Sequence, residues 1–198
     1  MIPELETDRL VVRLAQPGMH AAIASFLSAN YPGHLERWSP PVAAEFFTES
    51  FWRDRLPVAL DDYAGDRAAR FVMQMRGSPL AGPVVGTCNY TNFVRGAFHA
   101  CHLGYQIGRE HQGLGLMAEG LRATNAFVFE HLRLHRIMAN FRPENERSRR
   151  LLQRLGFVEE GFARAYLYID GAWRDHVLTS LIHPAFRDAW LMRQPGRY

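Results

Sequence analysis

The sequence predicts a single α+β domain in which a mostly antiparallel sheet of about seven strands is flanked by about four helices. Three observations carry that class. Runs with the two-residue period of a strand and runs with the three-to-four spacing of a helix follow one another in the order β-α-α-β-β-β-α-β-α-β-β. The three central strands are separated by short turns, which join antiparallel neighbours, whereas parallel neighbours need a long crossover. One stretch, 103–117, passes from strand through glycines into helix without a gap. No repeat or linker divides the 198 residues, so the domain is expected to span 1–198 with a sizeable core.

Taken in order, 7–14 alternates with Leu10, Val12 and Leu14 on one face and predicts the first strand. Residues 19–27 carry apolar side chains at helical spacing. Pro32, Gly33, Pro40 and Pro41 predict a loop over 30–41, whose Tyr31 and Trp38 either line a pocket or pin the loop to the core. A second helix is expected over 45–60, interrupted near Pro57, its Phe46, Phe47, Phe51 and Trp52 forming a core-facing aromatic side. Strands follow at 70–76, 84–91 and 98–107, with a turn at 92–97. A helix is expected over 117–132 and a strand over 135–141. Pro143 and Asn145 announce a helix that ends at Gly156. Asp170-Gly171 signals a hairpin between 163–169 and 173–181, and a two-residue loop sets Tyr166 opposite Asp175. Beyond Pro184 a short, partly loose tail is expected.

Composition narrows the class further. Hydrophobic residues at 47% and charged residues at 22% describe a globular chain rather than a disordered one. No apolar run approaches the ~18–20 residues of a membrane span. The first ten residues have neither an apolar signal core nor a basic amphipathic face, so a cytoplasmic protein without a membrane partner is expected. A net charge of +3 permits a polyanionic ligand or a ribonucleoprotein without demanding either. Cys88 and Cys101 lie in strand-like runs and read as buried thiols. No Cys/His set has zinc spacing, so no metal is expected.

The stretch LGYQIGREHQGLGLM (103–117) carries the chemistry. A tight glycine turn before a helix aims free N–H groups and the positive end of the helix dipole at one point, which suits a phosphate. Gly113-x-Gly115-x-x-Ala118 also matches a degenerate dinucleotide fingerprint, but the strands before it lack crossover helices and the next strand offers Asn140 rather than an acid for a ribose. A P-loop is excluded because no Gly-Lys-Ser/Thr is present.

Gln112-Gly113-Leu114-Gly115-Leu116-Met117 at this strand–helix junction resembles the signature of the GNAT superfamily of acyl-CoA-dependent N-acetyltransferases, with Met117 standing where Gly or Ala is commonest. The segments at 92–108, 111–117, 135–148 and 170–179 resemble more narrowly the RimJ type of ribosomal-protein-alanine N-acetyltransferase, over most of 7–181. Residues 31–66 match least.

The resemblance implies the GNAT fold, with the sheet splayed between the strands ending near Ile107 and Phe141 to hold acetyl-CoA. It implies that backbone groups of Tyr105 and Ile107 bind the pantetheine, and that the N–H groups of Gly113 to Met117 take the pyrophosphate beside Gln112. Asn140 and Asn145 match asparagines that reach the cofactor, though Asn145 is explained equally well as a helix cap. Ser148 is implied as proton donor to the departing thiolate, since no tyrosine precedes Gly156-Phe157 at the usual spacing. Glu160 is implied as the base, acting directly or through water, and Glu159 as a solvated neighbour. A peptide α-amine, with a pKa of ~7.7–8.0 against ~10.4 for lysine, asks little of such a base. Direct attack is expected, because neither Cys88 nor Cys101 has a recognisable base-and-orienter constellation. Tyr166, Asp175 and His176 either contact the acceptor or hydrogen-bond within the sheet. The partner implied is the N-terminus of a ribosomal protein, free or in a ribosomal particle. A small amine or antibiotic as acceptor, or a weakly catalytic CoA-binding factor in ribosome assembly, are the competing readings, and the oligomeric state is left open.

Overall fold

The computed structural model describes residues 2–191. Eight strands form one sheet: β1 (Glu4–Glu6), β2 (Leu10–Leu14), β3 (Ala69–Met75), β4 (Val84–Val94), β5 (Ala100–Ile107), β6 (Arg136–Phe141), β7 (Val158–Ile169) and β8 (Ala172–Ile182), in the order β1-β2-β3-β4-β5-β6-β8-β7. Every neighbouring pair is antiparallel except β5–β6, which is parallel and needs a crossover. Helix α3 (Leu116–Glu130) supplies it. The eighth strand, β1, is too short to show a period.

The sheet separates two cores. On one face Phe71, Met73, Cys88, Tyr90, Leu103, Ile137 and Phe141 pack against Leu116, Met117, Leu121 and Val128 of α3 and Leu152 of α4 (Glu146–Arg154). On the other, Val72 and Val84 pack against Ile23, Phe26 and Leu27 of α1 (His20–Asn30) and Leu56 of α2 (Glu49–Ala64). Strand alternation explains how adjacent residues such as Phe71 and Val72 reach different cores. Both cysteines are free and buried, and burial pushes the Cys88 thiol up to about 12. Three of the four aromatics expected on the second helix, Phe46, Phe47 and Trp52, pack partly buried against the α1/α2 core, but Phe46 and Phe47 do so from a tight turn at Ala44–Phe47 that precedes α2.

Four expectations are corrected. The 30–41 loop is partly helical: α1 runs to Asn30, and wide and tight helical turns follow at Tyr31–Leu35 and Glu36–Trp38, with Pro32 and Gly33 in non-helical conformations. Helix α2 starts at Glu49, where the Thr48 hydroxyl accepts the Phe51 N–H at 3.3 Å, and continues through Pro57. Pro57 is exposed, so water can satisfy the carbonyl whose helical donor is missing. The expected turn at 92–97 is shorter, because β4 continues to Val94 across an irregularity after Thr91, with Asn92 at φ 55°. The hairpin does turn at Asp170-Gly171, at φ 51° and 71°, but a bulge lies between the pairs Ala163↔His176 and Leu167↔Arg174. Tyr166 is therefore not in regular register with Asp175. Most of the tail expected to be loose, 192–198, lies outside the described residues. Among the described residues no helix is long and apolar enough to cross a membrane.

Candidate active site

The site begins where two strands part. Pairing of β5 with β6 ends at Leu103↔Ala139, yet β5 continues to Ile107 and β6 to Phe141. The Gly108 N–H bonds the Val85 carbonyl in β4 at 2.8 Å. By strand alternation the main-chain groups of Tyr105 and Ile107 point the other way, into the gap that β6 has left. An extended ligand chain entering there would find the edge of an unfinished ladder.

Past Ile107 the chain makes a tight turn at Arg109–His111 and reaches the glycines. Gly113 and Gly115 have φ of 77° and 78°, left-handed conformations that side chains with a Cβ rarely adopt. Among the described residues a Cβ on Gly113 would meet nothing within 4 Å, which leaves room above the turn. Gly115 caps α3 with no side-chain hydrogen bond, and the first helical bond there is Glu119 N–H to the Gly115 carbonyl. The N–H groups of Leu116, Met117 and Ala118 thus precede the ladder, as a phosphate site requires. Met117 departs from the commonest residue without blocking the site, because its side chain is buried beneath, 4.0 Å from the Cys88 sulfur. Leu114 is exposed at 55%, while its carbonyl is held from below by Arg9 at 2.8 Å. Arg9 is fixed in turn by Glu119 at 2.6 Å.

On the α3/α4 face of the gap, the Tyr105 hydroxyl lies 2.5 Å from the Ser148 hydroxyl. Asn145 places that serine: as N-cap of α4, its side-chain oxygen accepts the Ser148 N–H at 3.1 Å. Burial pushes the Tyr105 phenol up to about 12, so it stays protonated at neutral pH and can donate. Sequence reasoning had assigned Tyr105 only for its backbone. Its hydroxyl was not anticipated, because nothing in the spacing of residues 43 positions apart reveals contact.

The opposite face of β5, β6 and β8 forms an open trough. By pairing and alternation His102, Gly104 and Gln106 share it with Met138, Asn140, Leu178 and Ser180. A Cβ at Gly104 would meet nothing within 4 Å, so the middle of the floor is free. The His102 Nδ1 is buried and has no hydrogen-bond partner among the described residues, and burial lowers the ring's pKa. At one end Asn140 Nδ2 donates to the Tyr166 hydroxyl at 3.4 Å, and the Tyr166 ring lies 5.6 Å from that of His176. His176 is 2% exposed, its pKa lowered chiefly by burial. Asp175 is elsewhere engaged: its carboxylate accepts the Ala165 N–H at 2.8 Å across the hairpin bulge.

Glu160 lies on the trough face but away from Tyr105 and Ser148. Both its oxygens are 2.8 Å from Arg136 Nη1, and one also accepts the Ser180 hydroxyl at 2.7 Å. The Arg136 hydrogen bonds, then that of Ser180, hold its pKa below the usual carboxylate value. Glu159 faces Arg149 at 3.5 Å.

A second group of residues escaped sequence reading. The segment 30–39 is tied over the end of β5: Asn30 accepts the Arg109 N–H at 2.8 Å, Gln106 donates to the Ser39 hydroxyl at 3.1 Å, and His34 Nε2 lies 3.0 Å from the Ile107 carbonyl. Arg142 adds a bond to the Arg37 carbonyl at 2.7 Å and stacks 5.3 Å above Trp38. The proline and glycine breaks announced an irregular segment here but not its partners.

Residues 9–158 match the model of the acetyltransferase (GNAT) domain. The chain belongs to the GNAT family of acetyltransferases. It is 43% identical over 180 residues to the [ribosomal protein uS5]-alanine N-acetyltransferase of Escherichia coli (strain K12), covering 91% of each chain. Among solved structures it resembles the ribosomal-protein-S5-alanine acetyltransferase of Vibrio fischeri, at a TM-score of 0.88 and 37% identity over 93% of this chain and 99% of that one. Mycobacterium smegmatis RimJ, solved in complex with CoA-disulfide, aligns at a TM-score of 0.80 and 27% identity over 98% of this chain and 90% of that one. The GNAT chain described here is an acetyl-CoA-dependent N-acetyltransferase. The glycine turn with open space above it, the uncapped start of α3 and the unpaired edge of β5 suit such a co-substrate.

Proposed function

We propose that this GNAT enzyme acetylates the N-terminal α-amine of a ribosomal protein, an S5-type chain beginning with alanine, by direct attack in a ternary complex. The observation that carries the reading is the 43% identity to the Escherichia coli uS5-alanine N-acetyltransferase, which extends over 91% of both chains and so includes both sides of the site.

Acetyl-CoA supplies an activated acetyl thioester. The N–H groups from Gly113 to Met117, with Gln112, take its pyrophosphate, and the inward main chain of Tyr105 and Ile107 takes the pantetheine. The gap between β5 and β6 opens toward both faces of the sheet. The Tyr105–Ser148 hydroxyl pair approaches it from the α4 side, and the trough with Asn140, Tyr166 and His176 from the other. An amine arriving along the trough therefore meets the acetyl group with a proton donor on the far side, where the thiolate departs. Ser148 donates and Tyr105 restores its hydrogen bond. The Ile107 N–H polarises the thioester carbonyl.

Glu160 is the candidate base. The Arg136 and Ser180 bonds lower its basicity, so it acts through water on an amine that is already partly neutral at pH 7. Tyr166 contacts the acceptor, the buried His176 ring backs it from 5.6 Å, and Asp175 holds the bulge that presents it.

Incubation with acetyl-CoA and synthetic N-terminal peptides of ribosomal proteins, followed by mass spectrometry, tests the reading. Acetylation confined to the α-amine of an S5-type peptide is expected, with an alanine start favoured over a bulky one. Turnover of small amines alone would discard the ribosomal assignment, and CoA binding with no turnover would point to a non-catalytic factor.

A further inference from the structure

The contact between segment 30–39 and the cofactor loop contains a conflict. His34 Nε2 is 3.0 Å from the Ile107 carbonyl oxygen and 3.3 Å from the Gln112 side-chain nitrogen. The first neighbour can only accept a hydrogen bond, and the second can only donate one. Gln112 cannot turn its amide to help, because its oxygen accepts a hydrogen bond from Arg147. If Nε2 carries the proton, it bonds Ile107 and opposes the Gln112 N–H. If Nδ1 carries it, Nε2 accepts from Gln112 and its lone pair faces the Ile107 carbonyl. A doubly protonated ring meets the first conflict again. One ring nitrogen serves one neighbour at a time.

Gln112 begins the turn whose N–H groups await an anion. A phosphate oxygen there competes for Arg147, which frees the Gln112 amide to turn and donate to the anion, so its N–H no longer opposes His34. The ring is left to donate to Ile107 without opposition, and segment 30–39 is held more firmly over the gap.

We propose that His34 is a positioning residue that couples cofactor binding to the order of the acceptor-side segment 30–39, with Gln112 as the switch between them. This rests on the assignment of the Gly113–Met117 turn to the acetyl-CoA pyrophosphate. Linkage makes the coupling reciprocal, so a fixed segment also favours the cofactor.

Hydrogen exchange of the full chain, with and without acetyl-CoA, tests it. In the wild type, saturating acetyl-CoA slows exchange of the 30–39 amides about fivefold or more. His34→Ala removes that slowing while acetyl-CoA still binds, and it raises the peptide KM more than it lowers kcat. His34→Gln, whose side-chain amide can donate to Ile107, restores much of both. Gln112→Ala removes the competitor, so the segment is already protected without ligand and gains little from it. Acetyl-CoA binding to the wild type with no change at 30–39, or a full response retained in His34→Ala, overturns the coupling and leaves the cofactor assignment standing. Failure of the wild type to bind acetyl-CoA overturns both.

Discussion

The two sides of the gap between β5 and β6 are built from different materials. In the proposed complex the cofactor side is mainly one continuous stretch, from Tyr105 to Met117, joined by Asn140 and Asn145, and its groups are mostly main-chain N–H and C=O fixed by strand alternation, two left-handed glycines and a helix start. The proposed acceptor side is assembled from side chains on α1 and the turns after it, β5, β6, β7 and β8, with His34 meeting Ile107 across 73 positions and Tyr166 meeting Asn140 across 26. A backbone site tolerates exchange of most side chains but not of its glycines. A side-chain site can be retuned one residue at a time. The contrast makes opposite demands on mutation.

It breaks most sharply at Gly115. Replacement by valine forces a β-branched side chain into φ 78° and sets a Cβ 3.4 Å from Arg9. The left-handed cost of roughly 1–2 kcal/mol and the lost approach to the N–H groups together predict acetyl-CoA binding about a hundredfold weaker. Calorimetric titration measures it, and near-normal affinity would remove the turn as the phosphate site. Leu114→Ala, in the same turn but exposed, leaves affinity within a few-fold.

The hydroxyl pair sharpens the comparison from the other direction. Ser148→Ala and Tyr105→Phe each leave the main chain in place, so acetyl-CoA affinity holds while kcat falls. Loss of a proton donor is expected to cost Ser148→Ala about a hundredfold and Tyr105→Phe about tenfold. Because the two hydroxyls act as a unit, the double variant should fall little below Ser148→Ala. Full kcat in Ser148→Ala would reduce the serine to an N3 residue of α4. Glu160→Gln is expected to lower kcat only about threefold to tenfold near neutral pH, since its carboxylate already shares its charge with Arg136. Identical pH–rate profiles for variant and wild type would eliminate it as the base.

The same contrast explains what could be read in advance. The Gln112–Met117 turn was visible because glycine spacing encodes backbone conformation locally, and the element order was visible because periods of two and of 3.6 are local too. Pro57 misled because whether a helix survives a proline depends on which side faces water, which is a tertiary property. The Tyr105–Ser148 bond, the anchoring of Glu160 by Arg136 and the seat of His34 depend on strand pairing and crossover. Those distances in space have no fixed counterpart in the chain. Asp175 shows the mixed case: its place in the hairpin followed from Asp170-Gly171, whereas its bond to the Ala165 N–H followed from a bulge that turn chemistry does not announce.

The smallest expected effect concerns stability and pH, and it separates the two sides once more. Burial holds the pKa values of His102 and His176, both on the trough face, below the ordinary imidazole value, as it does for His99 and His183 elsewhere. As pH falls through about 6.5, these rings take up protons in the unfolded chain before they do so in the folded one. The unfolded state then binds more protons, so stability falls as pH drops through this window and levels off once the folded rings are protonated too. Glu160 and Glu119, whose folded pKa values are lowered, act in the same direction but further down, as pH falls below the ordinary glutamate value. Urea denaturation at pH 7.5, 6.5 and 5.5 should therefore show a decline before any carboxylate titrates. His102→Gln and His176→Gln should each flatten that decline. An unchanged midpoint from pH 7.5 to 5.5 would mean that the trough histidines charge as readily when folded as when unfolded. Half-buried His102 and buried His176 lie on the trough face, whereas the Gly113–Met117 turn holds no titratable group, so any part of the decline that belongs to the site arises in the trough.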